Sequence, residues 1–300
     1  MSVGFSIEVF RRLRDRDFRV LNAVERGMAS HMYVPVEVIA KLARMDLGEV
    51  ESLLKRLHSL GLVQRQKGAY VGFILTSRGY DCLALNALVK RGTLESVSSS
   101  PIGVGKESEV YAGYTPGNVM VSVKFHRVGR VSFRQTRRRR AYIGDRHHIS
   151  WLYQSRLAAK SEYEALRILH PGGVSVPRPI DWNRHVVVTG YVSGTELSEV
   201  PPLEDPEGVM REILDNVARA FSLGVVHGDL SEYNIIVTED GRPVLFDWPQ
   251  WLSSNHPSAP QTLLRDLRNV AKFFRRKYHL SIDPERVARE AFERLAGGWS

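Results

Sequence analysis

His227-Gly228-Asp229-Leu230-Ser231-Glu232-Tyr233-Asn234 is followed by the apolar run Ile235-Ile236-Val237, the turn Glu239-Asp240-Gly241, and the return Val244-Leu245-Phe246-Asp247. Two short apolar runs around an Asp-Gly turn predict a hairpin. Such a hairpin brings Asp247 back to the loop that its first strand leaves. Asn234 and Asp247 then offer hard oxygen ligands of the kind Mg²⁺ takes, and Asp229 can orient or deprotonate a hydroxyl nucleophile. An Asp-x4-Asn spacing alone arises readily by chance. Its place before a hairpin that closes on a second Asp makes the combination specific.

Upstream, Gly103-Val104-Gly105-Lys106-Glu107-Ser108 lies between two extended segments. A Walker A loop needs glycine at position 100 and Ser or Thr at 107, where this chain has Ser100 and Glu107; a dinucleotide fingerprint needs a helix next, whereas Val110 to Gly113 reads as extended. A glycine loop between antiparallel strands is the phosphate cover of protein kinases. In the following strand Val119, Val121, Val123 and Phe125 share one face and Met120, Ser122 and Lys124 the other. Lys124 therefore projects away from the apolar face and can hold the α and β phosphates. In the helix spanning 151–169, Glu162 lies four residues from both Ala158 and Leu166, on the inward stripe. A carboxylate there calls for a cation, for which Lys124 is the candidate; the other reading is a surface glutamate that happens to fall on the stripe.

The first 90 residues have a different grammar. Helices are expected over Ser6 to Leu13, Asp17 to Arg26, from Val34-Pro35 onward, and over Leu47 to Leu60 with Leu47, Val50, Leu53, Leu54, Leu57 and Leu60 at helical spacing. Strands Leu62 to Gln66 and Tyr70 to Leu75 flank Lys67-Gly68, and Ser77 is expected to cap a last helix ending at Lys90. The pattern is a winged helix-turn-helix. Lys55 and Arg56 are balanced by Glu49 and Glu51, so RNA, DNA and protein contact all stay open for it. The fold class is α+β: a winged-helix domain over 1–91, then a two-lobed domain over 92–300 with lobes of about 92–188 and 193–300.

Composition narrows the setting. The 300 residues are 43% hydrophobic with one cysteine, Cys82, which excludes an internal disulfide and a cysteine zinc cage. No window approaches a spanning helix, and the opening MSVGFSIEVFRRLRDRDF is too charged for a signal peptide, so a cytoplasmic protein without membrane contact is expected. The net charge is +9, from 42 basic and 33 acidic residues, but residues 124–160 alone hold eleven basic side chains against Asp145. Nine of the eleven are arginines, including Arg137, Arg138, Arg139 and Arg140. Arginine forks match phosphate, which suggests an RNA or DNA backbone; a solvated loop is the plainer reading of the same run.

Taken together, residues 103 to 111 (Gly-Val-Gly-Lys-Glu-Ser-Glu-Val-Tyr), Lys124-Phe125-His126-Arg127, Ser132-Phe133-Arg134, Ser150-Trp151-Leu152-Tyr153, Ser155-Arg156, His227 to Asn234 and Asp247-Trp248-Pro249-Gln250 resemble the RIO family of atypical serine/threonine protein kinases, in the branch defined by a winged helix. The resemblance covers nearly the whole chain. It implies a compact bilobal kinase-like domain without the usual activation segment and peptide-docking helices, and nothing like Ala-Pro-Glu follows Asp247. It implies ATP with Mg²⁺, or Mn²⁺ in its place. Lys124 would anchor phosphate, Glu162 pair with it, Asp229 act as catalytic base, and Asn234 and Asp247 bind metal. Gly103, Gly105, Lys106, Glu107 and Ser108 would lie over the triphosphate, and the C=O of Gly190 and N–H of Val192 would meet adenine, although relatives often carry an acidic residue near Gly190. Trp248 stands where Phe is more usual. Family members act mainly as ATPases and autophosphorylating switches in small ribosomal subunit maturation, with an aspartyl phosphate proposed at the position of Asp247. Residues 126–150 match an insertion that is a usual autophosphorylation site, with Ser132 and Thr136 as candidates here and Arg137 to Arg140 as candidate contacts to pre-ribosomal RNA. Two alternatives are a small-molecule phosphotransferase of the aminoglycoside or choline kinase type, which shares His-x-Asp-x4-Asn, and a non-catalytic assembly factor whose RNA-binding surface ATP merely orders.

Overall fold

In the computed structural model the described residues are 3–68, 70–128 and 151–296, so Ser132, Thr136 and Arg137 to Arg140 lie outside them. They fall into two compact units, one reaching residue 128 and adding 151–156 and 182–186, the other formed by 157–181 and 187–296.

The first unit opens with α1 (Val3–Phe10), α2 (Asp15–Gly27), β1 (Val34–Pro35), α3 (Val36–Ala43), α4 (Leu47–Ser59), β2 (Val63–Lys67), β3 (Val71–Leu75) and α5 (Ser77–Lys90). β3 pairs antiparallel with β1 and β2, making the wing of a winged helix. Val50, Leu54 and Leu57 of α4 are fully buried beside Leu21, Val24, Ile39 and Leu62. Each such side chain contributes about 1.5–3 kcal/mol by leaving water. Several details differ from the sequence expectation, beginning with α1, which runs Val3–Phe10 instead of Ser6 to Leu13. Leu47 is exposed, because it is the first helical residue and begins the stripe at its outer edge. Pro35 precedes the third helix in extended conformation and pairs with Gly72 instead of entering the first turn. Thr76, not Ser77, caps α5: its hydroxyl oxygen accepts the Gly79 N–H at 3.2 Å, and Ser77 is already helical. Arg56, rather than facing a partner, donates to buried Asp17 of α2 at 2.8 Å and to the Arg12 C=O at 3.0 Å.

The same unit continues with β4 (Ser96–Val104), β5 (Ser108–Tyr114) and β6 (Met120–His126) as an antiparallel ladder. β4 and β5 lose register on both sides of Pro101, which has no N–H to give the ladder. In β6, Val121, Val123 and Phe125 are fully buried while Val119 lies outside the strand and exposed.

α6 (Trp151–Leu169), β7 (Pro179–Asn183) and β8 (Val186–Gly190) are each divided between the units. The second unit holds β9 (Thr195–Glu196), α7 (Pro206–Ser222), β10 (Val225–Val226), a 3₁₀ turn (Glu232–Asn234), β11 (Ile235–Val237), β12 (Pro243–Leu245), β13 (Leu252–Ser253), α8 (Ala259–Tyr278) and α9 (Pro284–Ala296). β11 pairs with β12 and β9, and β10 with β13, all antiparallel. Their apolar faces, with Leu230, Ile235, Leu245 and Trp248, join Val217 of α7 and Leu267 and Phe274 of α8 in one core. Among the described residues no helix is long and apolar enough to cross a membrane.

Candidate active site

In the first unit the glycine loop is the turn between β4 and β5. Gly105 donates its N–H to the Ser108 C=O at 2.9 Å, closing the chain over Lys106 and Glu107. Neither Gly103 nor Gly105 has positive φ, and an added Cβ on Gly103 would meet nothing nearer than 3.8 Å. The backbone thus does not demand glycine here. Glycine instead leaves the loop bare, with space that a close-lying phosphate can use and a side chain would fill. Lys106 is exposed, Glu107 and Ser108 half-buried. Lys124 is half-buried in β6, opposite Val110 of β5, between the buried Val123 and Phe125 that point the other way.

In the second unit the loop after β10 is tied down atom by atom. His227 is buried; its Nδ1 accepts the Asp229 N–H at 3.3 Å and its Nε2 donates to the Phe246 C=O at 3.1 Å, a pattern that needs the hydrogen on Nε2. Its ring lies 4.3 Å from that of Trp248, whose indole N–H donates to the Leu245 C=O at 3.1 Å. Gly228 has φ 85° and donates its N–H to Asp266 of α8 at 2.8 Å. A Cβ at Gly228 would stand 2.5 Å from the Gln250 carbonyl oxygen, so both conformation and space require glycine. Asn269 of α8 donates to the Leu230 C=O at 3.2 Å.

Asn234 donates its Nδ2 to the Asp229 C=O at 2.8 Å, which fixes its amide with Oδ1 as the remaining acceptor. The Phe246 N–H donates to the Asn234 C=O at 3.0 Å, so the hairpin brings the residue before Asp247 back onto the loop. Asp247 itself has φ 65°, a left-handed conformation that Asp and Asn tolerate best among side-chain-bearing residues. Asp229 reaches solvent, yet desolvation by the protein around it, reinforced by the charge of Asp247, holds its carboxyl above the ordinary carboxylate range.

Glu162 is buried on α6 with Ala158 and Leu166, as its spacing indicates. The Trp251 indole N–H donates to the neighbouring Ser161 C=O at 2.8 Å. Gly190 ends β8 and gives its own N–H to the Arg178 C=O at 2.8 Å, with Val192 half-buried two residues on. Asp266 and Asn269 were not singled out from the sequence. The signal was there for Asp266, an acid on the apolar stripe between Leu263 and Val270.

The donor set suits a hard divalent cation. Among the described residues no group of three or more His, Cys, Asp or Glu forms a metal cage. Mg²⁺ in phosphate-transfer sites needs none, since it takes one or two protein oxygens and completes its shell with water and phosphate. Asn234 and Asp247 fit that sparse arrangement.

The sequence model described as RIO domain matches residues 109–287, and that described as Rio2, N-terminal matches 10–91. The chain belongs to the RIO kinase family, in its Rio2 branch. It is 41% identical over 265 residues to the RIO-type serine/threonine-protein kinase Rio2 of Methanocaldococcus jannaschii, covering 87% of this chain and 96% of that one. Against the serine/threonine-protein kinase rio2 of Schizosaccharomyces pombe the identity is 38%, over 94% and 82% of the two chains. A solved Rio2 kinase from Chaetomium thermophilum, a complex with ADP/Mg²⁺ and phosphoaspartate, superposes with TM-score 0.83 at 33% identity over 98% of this chain and 94% of the other. As a RIO kinase the protein is an atypical serine/threonine kinase, built as a winged helix followed by a kinase-like domain.

Proposed function

We propose that this RIO kinase binds ATP with Mg²⁺, transfers the γ-phosphoryl to its own side chains, and uses the resulting ATP cycle as a switch on the RNA of the maturing small ribosomal subunit in the cytoplasm. The observation that carries this reading is the loop held by His227, Asp266 and Asn269, which presents Asp229 and Asn234 together with the hairpin's Asp247.

In this reading the glycine loop, with Lys106 and Ser108, covers the triphosphate, and Lys124, paired with Glu162, holds its α and β phosphates. Adenine bonds to the Gly190 C=O and Val192 N–H. Asn234 and Asp247 hold Mg²⁺, which neutralises charge on the phosphates. Asp229 orients the attacking oxygen and, where a hydroxyl or water attacks, takes its proton. Asp247 is also the phosphoryl acceptor, since the relative from C. thermophilum was crystallised with phosphoaspartate; attack by its carboxylate oxygen breaks the bond to the leaving ADP, and water cleaves the acyl phosphate afterwards. Ser132 and Thr136 are further acceptors, and Arg137 to Arg140 contact the RNA backbone. The test is purified protein with ATP and Mg²⁺. Phosphate release and a hydroxylamine-labile self-label are expected in the wild type and absent in Asp247→Asn. Undiminished release in that variant overturns the assignment.

A further inference from the structure

Asp81 lies on α5, the last helix of the winged helix, with 1% of its side chain exposed. Its carboxylate accepts four hydrogen bonds: from Arg127 Nη1 and Nη2 at 2.7 Å each, from the Ser6 hydroxyl of α1 at 2.7 Å, and from His185 Nε2 at 2.8 Å. Burial pushes the His185 imidazole down to about 4, so it is a neutral donor, stacked on Tyr80 at 4.8 Å. Arg127 follows β6 directly, three residues after Lys124. Its guanidinium is buried with Asp81, and its backbone N–H donates to the Glu107 C=O of the glycine loop at 2.6 Å. The other side of the loop is tied as well: Glu109, next after Ser108, accepts the Val3 N–H of α1 at 2.9 Å, and the Tyr111 hydroxyl oxygen accepts the Gly4 N–H at 3.1 Å.

A buried ion pair is a poor source of stability, because desolvating both charges offsets most of their attraction, and an apolar pair of similar volume often holds a fold as well. What a bidentate Arg–carboxylate pair supplies is fixed geometry. Here that geometry runs from a helix of the winged domain to the backbone of the loop. We propose that Asp81 and Arg127 are positioning residues that couple the winged helix to the glycine loop, so that whatever orders or displaces α1 or α5 changes nucleotide affinity. This rests on the reading that the loop covers a nucleotide. Reciprocity then requires nucleotide binding to steady α5 in return.

The decisive comparison is hydrogen exchange of the nucleotide-free protein, wild type against the double substitution Asp81→Leu/Arg127→Leu, which removes both charges and keeps the Arg127 backbone N–H. With melting temperature and circular dichroism preserved, amides 103–108 are expected to exchange at least about fivefold faster, and the KM for ATP to rise by a similar factor with kcat at saturation held. Unchanged loop exchange in a folded double variant overturns the coupling. Should the double variant not fold, Ser6→Ala removes a single donor to Asp81 and is expected to loosen the same amides to a smaller extent; no change there overturns the coupling as well. In the wild type, a fluorescent ATP analogue should slow exchange around residue 81. A wild type that binds no analogue refutes the ATP reading alone, because the nucleotide-free comparison still decides the coupling.

Discussion

The raised pKa of Asp229 has a sign that can be tested on stability as well as on rate. A carboxyl whose folded pKa lies above its unfolded value near 3.8 penalises the fold when ionised; the penalty is absent below the unfolded value, grows as pH rises from there towards the folded value, and is complete above it. Asp229→Asn is therefore expected to melt higher than wild type at neutral pH, with the difference closing as the pH falls below the unfolded value, while losing ATP hydrolysis. Calorimetry across pH checks the first and phosphate release the second. Asp266→Ala leaves the Gly228 N–H without its acceptor and should cost about 1–3 kcal/mol of stability together with most of the turnover. Asp229, Asn234 and Asp247 were legible because a loop, a hairpin and a fixed spacing bring them together from one short stretch of chain. Asp266 was harder to assign because its partner Gly228 is 38 residues away, and an acid on an apolar stripe does not name the group it meets. Glu162 was legible through Ala158 and Leu166, which flank it one turn away on the same helix.

At the scale of elements, apolar periodicity located the helices and capping side chains set their ends. Asp46 caps α4 by accepting the Gly48 N–H at 2.9 Å, and Asp205 caps α7 by accepting the Gly208 N–H at 2.8 Å ahead of a helix that begins at Pro206. Thr76 and Ser77 are both good caps, so the sequence alone leaves a one-residue ambiguity that the backbone conformation of Thr76 removes. The two-residue strands β10 and β13 escaped notice because their pairing joins Val225-Val226 to Leu252-Ser253, and neither run is long enough to show a period. Side-chain ties between helices are equally invisible in a single chain reading. Arg56, which the sequence only sets with Lys55 against Glu49 and Glu51, is the partner of Asp17 on α2. Since Arg56 is partly exposed and water can replace some of its bonding, Arg56→Ala is expected to lower stability by about 1–2 kcal/mol, measured by urea unfolding followed through the winged-helix signal.

Over the whole molecule the charge is concentrated: residues 124–160 carry +10 while the net charge of the chain is +9. If the four arginines 137–140 each neutralise a phosphate, replacing them with glutamine should flatten the salt dependence of RNA binding by up to about 3 in log–log slope, at roughly 0.7 per contact to a single strand. An unchanged slope, read by filter binding across a salt series, would return that run to the solvated-loop reading. The division of the chain into units has its own consequence, for the order in which the protein can be made. The first unit is not a continuous stretch: the Val128 N–H donates to the Ser155 hydroxyl at 3.1 Å, the His126 N–H to the His185 C=O at 2.9 Å, and Asp81 takes its fourth donor from His185. During synthesis at about 5–20 residues per second, a nascent chain that has emerged to residue 128 holds a carboxylate short of one of its four donors and two backbone donors still waiting for acceptors. The winged helix can form early, but the seat of the glycine loop closes only once residue 186 has left the ribosome, so a fragment ending at 128 should show far weaker protection at β6 than one ending at 190.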